Sequence, residues 1–185
     1  MELLDIVDEN GVPTGETVLR ETAHKEGIRH RTAHLWLMRR KNGILQVLVQ
    51  KRSDQKDSHP GCYDISSAGH IPAGSDYIPS ALRELSEELG LFATAEELVY
   101  CGKRHYHHIN HFRGTVFSDH QVSAVYVLWR DIAEEDIIIQ ESELASVRWM
   151  DFDVLYKSVQ QNTIPNCIAL EELDMIKQKE EDDVI

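Results

Sequence analysis

Three glutamates, Glu84, Glu87 and Glu88, stand at positions i, i+3 and i+4 of a segment with helical periodicity. On a helix this spacing brings their carboxylates onto one face. Like charges at these spacings repel each other, so helix stability does not account for the pattern. A hard divalent cation would account for it, and Mg²⁺ keeps water ligands that leave room for substrate phosphates. Taken alone, however, three glutamates on a helix more commonly form only a solvated surface.

A helix is predicted around these glutamates, and its limits follow from the residue types. The apolar residues that recur at helical spacing are Ile78, Ala81, Leu82, Leu85 and Leu89. Ser75 or Asp76 can cap the first turn, where Pro79 is tolerated, and Gly90 suits the position after the last turn. The helix would therefore bury one stripe and leave the glutamates on its other face.

The elements on either side of this helix predict an α/β fold, an α/β/α sandwich with a mixed β-sheet. Turn signals and β-prone runs predict an N-terminal hairpin and the strands 34–40, 44–51, 63–67, 98–106, 116–129 and 145–150. The other predicted helices are 20–26, 152–160 and 167–179. Because no linker or repeat interrupts the chain, we expect one domain over residues 1–185, with the hairpin in 1–20 and the C-terminal helices in 152–180.

Composition and charge argue against several classes of protein. A hydrophobic content of 42% and a charged content of 28% are ordinary for a soluble globular chain. No apolar run is long enough to cross a bilayer and the N-terminus is acidic, so we expect a cytoplasmic protein without a membrane partner. The formal net charge of −13 argues against a nucleic-acid partner. The three scattered cysteines argue against a disulfide framework and against a cysteine-based zinc site.

The stretch 69–91, GHIPAGSDYIPSALRELSEELGL, resembles the Nudix signature G-x5-E-x7-R-E-U-x-E-E-x-G-U, in which U is an aliphatic residue. The positions that match in register are Gly69, Arg83, Glu84, Leu85, Glu87, Glu88, Gly90 and Leu91. Ser75 replaces the first glutamate of the signature, which is usually a helper rather than the main metal ligand.

The resemblance to the Nudix hydrolase superfamily implies roles for these residues. Glu84, Glu87 and Glu88 would ligate Mg²⁺, with Mn²⁺ as the alternative, and Glu87 or Glu88 would help to activate water. The Gly69 carbonyl would add a ligand, and Arg83 would orient the acidic side chains. We therefore predict a Nudix diphosphohydrolase that cleaves the diphosphate linkage of a nucleotide-type or other small organic diphosphate. A non-catalytic domain that binds such a ligand is an alternative, which Ser75 keeps open.

Residues 4–149 also resemble the Nudix subgroup that borders type I isopentenyl-diphosphate isomerases, notably in QKRSDQKDSHPGCYDISSAGH. Arg52 and Lys56 match positions that contact the diphosphate in the isomerases. His30 and His70 match two of that family's metal-binding histidines. We place His70 with Arg52 and Lys56 in the predicted substrate-binding group.

The residues that isomerisation needs are absent, which favours hydrolysis over the isomerase alternative. The catalytic cysteine of the isomerases would fall at Ala68, and its acidic partner would fall at Gln121. A metal-ligand glutamate falls at Asp119. A third metal histidine would fall at Ala23, with His24 one place away.

Two other acidic residues and a group of histidines are weaker candidates. Glu141 and Glu143 precede a strand ending in Arg148-Trp149. The resemblance to Nudix enzymes implies that this context can hold a remote base or metal ligand, and a structural salt bridge is an equal alternative. The histidines between 105 and 111 are expected to lie on the surface or in a substrate loop. Substrate identity and the formation of a homodimer stay open at this level.

Overall fold

Nine strands and four α-helices follow one another along residues 2–56, 58–112 and 115–182, the part of the chain that the computed structural model describes. The strands are β1 (Leu3–Val7), β2 (Pro13–Leu19), β3 (His30–Lys41), β4 (Ile44–Arg52), β5 (Tyr63–Asp64), β6 (Ser67–His70), β7 (Leu98–Phe112), β8 (Thr115–Trp129) and β9 (Leu144–Asp151). The helices are α1 (Arg20–Glu26), α2 (Tyr77–Leu89), α3 (Phe152–Gln160) and α4 (Leu170–Asp182), with short 3₁₀ helices at Ala95–Glu97 and Glu134–Asp136. None of the helices in this part of the chain has the length and apolar character needed to span a membrane.

The main sheet has the order β5-β4-β3-β8-β7, and β3 and β8 run parallel from His30 opposite Gln121 to Met38 opposite Trp129. The other pairings are antiparallel, so the sheet is mixed, as predicted. β6 pairs with the first half of β3, and β9 pairs with β4. β4 pairs only with the last residues of β3, so β6 can pair with the first half of β3 on the same edge.

Alternating residues of β3 feed two cores on opposite faces of this sheet. Leu35 and Leu37 pack in the core that contains Leu85 and Leu89 of α2. Trp36 and Met38 pack in the core that contains residues of α3 and α4, namely Phe152, Leu155, Leu173 and Ile176. Helices therefore cover both faces, which confirms the predicted α/β sandwich.

The N-terminal hairpin forms a small sheet of its own with α1 beside it. Leu4, Val18 and Ala23, one from each element, are buried together. The hairpin also contacts the loop before α2, because Leu4 forms a β-bridge with Pro72. This contact links the first strand of the chain to the segment that carries the signature glutamates.

The predicted strand 63–67 is wrong in its limits, since β5 and β6 are separate strands. The Ser66 hydroxyl donates to the Leu48 carbonyl at 2.6 Å and accepts from the Leu37 amide at 2.7 Å. It thus bridges β3 and β4 where these strands diverge, and the chain passes from pairing with β4 to pairing with β3. β3 also begins four residues earlier than predicted, at His30, and β7 extends to Phe112.

A buried ion pair joins the C-terminal helix α4 to the sheet. The Glu172 carboxylate, 2% exposed, accepts hydrogen bonds from His34 Nδ1 at 2.8 Å and from Trp36 Nε1 at 3.1 Å. Arg104 Nη1 lies 3.4 Å from the same carboxylate. Burial alone would lower the pKa of His34, but the Glu172 carboxylate outweighs it and raises that pKa. Burial alone would raise the pKa of Glu172, but His34 and Arg104 lower it.

Glu172→Gln should lower the free energy of unfolding most strongly at about pH 5.5. Because the pKa of His34 is raised, its contribution is complete below about pH 6.5 and is lost as the pH rises through the folded-state pKa. Because the pKa of Glu172 is lowered, its contribution is present above about pH 4.5 and is lost as the pH falls. We expect a loss of about 1–3 kcal/mol that shrinks above pH 6.5, measured by urea unfolding across this range.

Glu171→Gln is the matched control for this experiment. The Glu171 side chain is 61% exposed and lies 3.3 Å from Arg104, so its loss should cost less than about 0.5 kcal/mol. A destabilisation by Glu172→Gln that does not change with pH would contradict an ion pair with His34.

Candidate functional site

Helix α2 begins and ends as the sequence predicts. The Asp76 side chain accepts a hydrogen bond from the Tyr77 amide at 2.7 Å, so Asp76 rather than Ser75 caps the first turn. Gly90 has a positive φ of 63°, which ends the helix in the left-handed conformation. The predicted stripe is directed inwards, with Ala81, Leu85 and Leu89 buried. The signature glutamates are thereby fixed in register against β6.

Glu88 is the most deeply buried of the three glutamates, at 7% exposure. Its Oε2 accepts a hydrogen bond from the Ser67 hydroxyl at 2.6 Å and from the Ala68 amide at 3.3 Å, both in β6. Burial raises the pKa of Glu88 to about 8, although the Ser67 hydrogen bond opposes the rise. Near neutral pH this carboxyl group therefore holds a proton unless a positive charge comes close to it.

Glu84 lies directly against the backbone of Gly69. A Cβ atom at position 69 would overlap the Glu84 carboxyl group, so the strand has no room for a side chain there. Burial raises the pKa of Glu84 to about 7, although Arg83 opposes the rise. The Arg83 guanidinium donates to Glu84 at 2.6 Å, to Glu87 at 3.2 Å and to the His70 carbonyl at 3.2 Å. Arg83 therefore ties two of the glutamates to the end of β6.

The three carboxyl groups differ in their exposure to solvent. The Glu87 side chain is 51% exposed, the Glu84 side chain is 15% exposed, and Glu88 is nearly enclosed. Two carboxyl groups whose charged forms are penalised by burial, with a third at the solvent edge, suit a hard divalent cation. The positive charge would offset the cost of ionising Glu84 and Glu88.

A second cluster lies on the other side of β6 and consists of His24, His30 and His70. One ligand atom of each residue lies within 4.8 Å of the other two. His30 Nδ1 contacts the Ile28 carbonyl at 2.8 Å and must donate to it, which leaves Nε2 unprotonated. That Nε2 is buried without a hydrogen-bond partner. Asp119 Oδ1 lies 3.8 Å from His24 Nε2 and 3.9 Å from His30 Nε2.

These histidines have the chemistry of a transition-metal site. Burial lowers the pKa of all three imidazoles, that of His24 to about 3, so each ring is neutral near pH 7. Neutral imidazole nitrogens with a nearby carboxylate are ligands for zinc and related ions. The structure therefore offers a second place for a metal, separate from the glutamates.

The resemblance to the isomerases placed the third histidine position at Ala23, one place from His24, and the structure brings His24 into the cluster. Ala23 is buried against Leu4 and Val18 of the hairpin, whereas the His24 side chain reaches His70 at 3.1 Å. The phase of the seven-residue helix α1 decides this, and the sequence alone does not define it. His24 is also stacked on Phe117, with ring centroids 4.3 Å apart.

Arg52 and Lys56, the residues predicted to contact phosphate, each form an ion pair with a carboxylate. Arg52 Nη1 lies 3.0 Å from Asp64, and its other nitrogens donate to the Ser58 carbonyl at 3.0 and 3.1 Å. Lys56 forms an ion pair with Glu143. The salt-bridge alternative for Glu143 therefore holds in this structure.

The remaining predicted candidates lie at the surface. Glu141 is exposed in the turn before β9. His105, His107, His108 and His111 are exposed on β7, as expected for surface histidines. His107 stacks on His120, with ring centroids 4.2 Å apart.

Comparison with known proteins places this chain in a family. The sequence model of the NUDIX domain matches residues 28–167. An uncharacterised Nudix hydrolase of Clostridium acetobutylicum is 32% identical over 156 residues, which cover 83% of this chain and 72% of that protein. Nudix hydrolase 3 of Arabidopsis thaliana is 47% identical over 90 residues, which cover 49% of this chain but only 11% of that protein.

A solved structure has the same fold at low sequence identity. It is the NUDIX domain of NrtR from Shewanella oneidensis in complex with ADP ribose, which covers 89% of this chain and 98% of the solved chain. The TM-score is 0.56 and the identity is 16%. The domain match over most of the chain, the relative from Clostridium and the register of α2 lead to one conclusion: the chain belongs to the Nudix family.

Proposed function

We propose that the protein is a hydrolase that uses Mg²⁺, with Mn²⁺ as the alternative, to cleave the diphosphate linkage of a small organic molecule, a nucleotide-type diphosphate above all. The observation that carries the proposal is the burial of Glu84 and Glu88, whose carboxyl groups have pKa values raised to about 7 and 8. Burial of these carboxyl groups costs free energy that Arg83 and Ser67 offset only in part, since both pKa values stay raised. A cation that joins them to a substrate phosphate gives this arrangement a function.

In this proposal Glu84, Glu87, Glu88 and the Gly69 carbonyl hold the metal. When bound, the metal supplies positive charge that neutralises the diphosphate and lowers the pKa of water. The absence of a side chain at Gly69 lets Glu84 reach the position next to β6. Arg83 keeps Glu84 and Glu87 oriented through its guanidinium.

The chemical step needs a proton acceptor beside the attacking water. Glu87 or Glu88 takes the proton as the water oxygen forms a bond to phosphorus. The bond between that phosphorus and the bridging oxygen of the diphosphate breaks, and the electron pair leaves with the departing phosphate. Products of this reaction are two phosphate-bearing fragments.

A nucleotide-type substrate is proposed because one solved structure of similar fold binds such a molecule. The solved Nudix domain of similar fold binds ADP ribose, which contains a diphosphate between two ribose units. In this chain, Arg52 ends β4 and Lys56 lies in the segment between β4 and β5; both are proposed to contact the substrate phosphates, and His70 is proposed to bind the substrate with them. Each would exchange a carboxylate partner for a phosphate oxygen, a charge-assisted contact.

Isomerisation of isopentenyl diphosphate is the second candidate, and two residues disfavour it. Ala68 carries no ionisable group where a cysteine would be needed. The Gln121 amide donates to Asp119 at 2.6 Å and cannot act as an acid. Hydrolysis therefore agrees better with the groups that this chain provides.

Glu84→Gln and Glu88→Gln should each lower kcat by about 100-fold or more on the best substrate of a diphosphate panel that includes ADP ribose. The amide resembles the carboxylate in shape but supplies no charge to hold the metal near the phosphates. In EDTA the variants should be no less stable than wild type, because burial already penalises the charged carboxylates. Phosphate release with and without Mg²⁺ measures the first effect, and urea unfolding measures the second.

Glu135→Gln is the control, since Glu135 is exposed and lies outside the signature. Its activity should equal that of wild type. Wild-type protein without Mg²⁺-dependent hydrolysis of any panel member would defeat the proposed function.

Lys56→Ala should raise KM about tenfold or more and leave kcat nearly unchanged. A phosphate contact made equally in the ground and transition states contributes to binding only, by about 1.5–3 kcal/mol. Steady-state kinetics on the best substrate measures both constants. Lys51→Ala removes an exposed lysine from the neighbouring strand β4 and should change neither constant. An unchanged KM in Lys56→Ala would show that Lys56 does not contact the substrate and only forms the ion pair with Glu143.

The wild-type protein should not convert isopentenyl diphosphate to dimethylallyl diphosphate. No group at positions 68 and 121 can move the proton that this reaction requires. Product analysis after incubation with Mg²⁺ and Zn²⁺ tests the expectation. Enzyme-like turnover that is lost in His30→Ala would favour the isomerase and contradict the assignment to hydrolysis.

A further inference from the structure

The N-terminal hairpin lies outside the part of the chain that matches the NUDIX domain, which begins at residue 28. It nevertheless contacts the loop that leads into α2. The Ala73 amide donates to the Leu3 carbonyl at 2.8 Å, and Leu4, which is fully buried, forms a bridge with Pro72. The hairpin is thus attached to the signature loop by backbone contacts.

A buried carboxylate strengthens this attachment. Asp5 Oδ2 in β1 accepts hydrogen bonds from Arg31 Nη2 at 2.9 Å and from the Gly74 amide at 3.0 Å. The Asp5 side chain is 12% exposed and the Arg31 side chain is 6% exposed. Arg31 Nη2 also donates to the Ser75 carbonyl at 2.8 Å. One ion pair therefore joins β1, β3 and the loop before α2.

The same ion pair lies beside the start of helix α2. Arg31 Nη1 is 3.7 Å from the Asp76 carboxylate, which caps the helix, and the Arg31 guanidinium lies over the Tyr77 ring at 5.3 Å. The signature loop has no carboxylate of its own at Ser75, where the family pattern has glutamate. Because α2 is a continuous helix from Tyr77 to Leu89, a shift at its first turn moves Glu84 and Glu88 as well.

We propose that Asp5 is a positioning residue for the acidic helix: from outside the NUDIX match, it holds Arg31 and the Gly74 amide at the loop before α2, and it thereby sets the metal affinity of Glu84 and Glu88. The inference rests on the proposed metal-binding role of these glutamates. Partners bonded directly to metal ligands typically contribute 10- to 100-fold to metal affinity. Asp5 acts on the glutamates only through the loop and the helix, so we expect a smaller effect of about three- to tenfold.

The test is the binding of Mn²⁺ to the full chain, followed through the EPR signal of free Mn²⁺. The helix site is defined as the Mn²⁺ that wild type binds and that Glu88→Gln does not, which separates it from ions bound by the histidines. Asp5→Asn keeps an oxygen that can accept from Gly74 but loses the charge opposite Arg31. It should weaken Mn²⁺ binding at the helix site about three- to tenfold and raise the Mg²⁺ concentration for half-maximal hydrolysis by a similar factor.

Asp8→Asn is the matched control, because Asp8 is an exposed aspartate of the same hairpin. Its Oδ1 accepts from the Asn10 and Val12 amides, both at 2.8 Å, and stabilises only the hairpin turn. Mn²⁺ affinity should be unchanged in this variant. An equal loss in Asp8→Asn and Asp5→Asn would overturn the proposal, since hairpin stability alone would then explain both.

Arg31→Lys decides the question if Asp5→Asn does not give a wild-type near-UV spectrum. Lysine keeps the charge but lacks the planar guanidinium that donates to both Asp5 and the Ser75 carbonyl, so it should also weaken Mn²⁺ binding about three- to tenfold. Wild-type affinity in a correctly folded Asp5 or Arg31 variant would overturn the positioning role, as would the absence of a helix site in wild type. Wild-type protein that binds Mn²⁺ but hydrolyses no diphosphate would defeat the proposed function alone.

Discussion

The alternation of side chains along the four residues of β6 is the constraint on which both candidate metal sites depend. Ser67 and Gly69 meet α2, where the first binds Glu88 and the second leaves space for Glu84. Ala68 packs against the core of the opposite face, and His70 joins the histidine cluster. Successive residues of a strand point to opposite sides. The carboxylate site and the imidazole site therefore lie on the two faces of the same short strand.

The acidic site could be predicted from the sequence because its geometry is local. The spacing of Glu84, Glu87 and Glu88 fixes their common face once the segment is helical, and Asp76 and Gly90 define the ends of that helix. Gly69 belongs to the same motif. It has to be glycine because the Glu84 carboxyl group occupies the space that a Cβ atom would need. What the motif could not give is the burial of Glu88, which depends on β6 lying beside β3.

The histidine site and the supporting ion pairs could not be predicted in the same way. His24 joins His30 and His70 only because α1 has a particular rotation against the hairpin, and Ala23 takes the buried position instead. The contacts of Asp119 with these histidines depend on the parallel pairing of β3 with β8. Asp5 with Arg31 and Glu172 with His34 connect residues that are far apart in the chain. No periodicity or short spacing marks such contacts. The resemblance to the isomerases pointed to His30, His70 and Asp119, but only the folded structure identifies His24 and the two ion pairs.

The two ends of the chain have a consequence for any attempt to shorten the protein. A fragment trimmed to residues 28–167 would keep every residue of the signature. It would also lose Asp5 as the partner of Arg31, Glu172 as the partner of His34, and His24 from the histidine cluster. Loss of Leu173 and Ile176 would expose the apolar core that α4 covers, so we expect the fragment to be much less stable than the full chain. The limits of the NUDIX match are therefore not suitable limits for a shortened form of this protein.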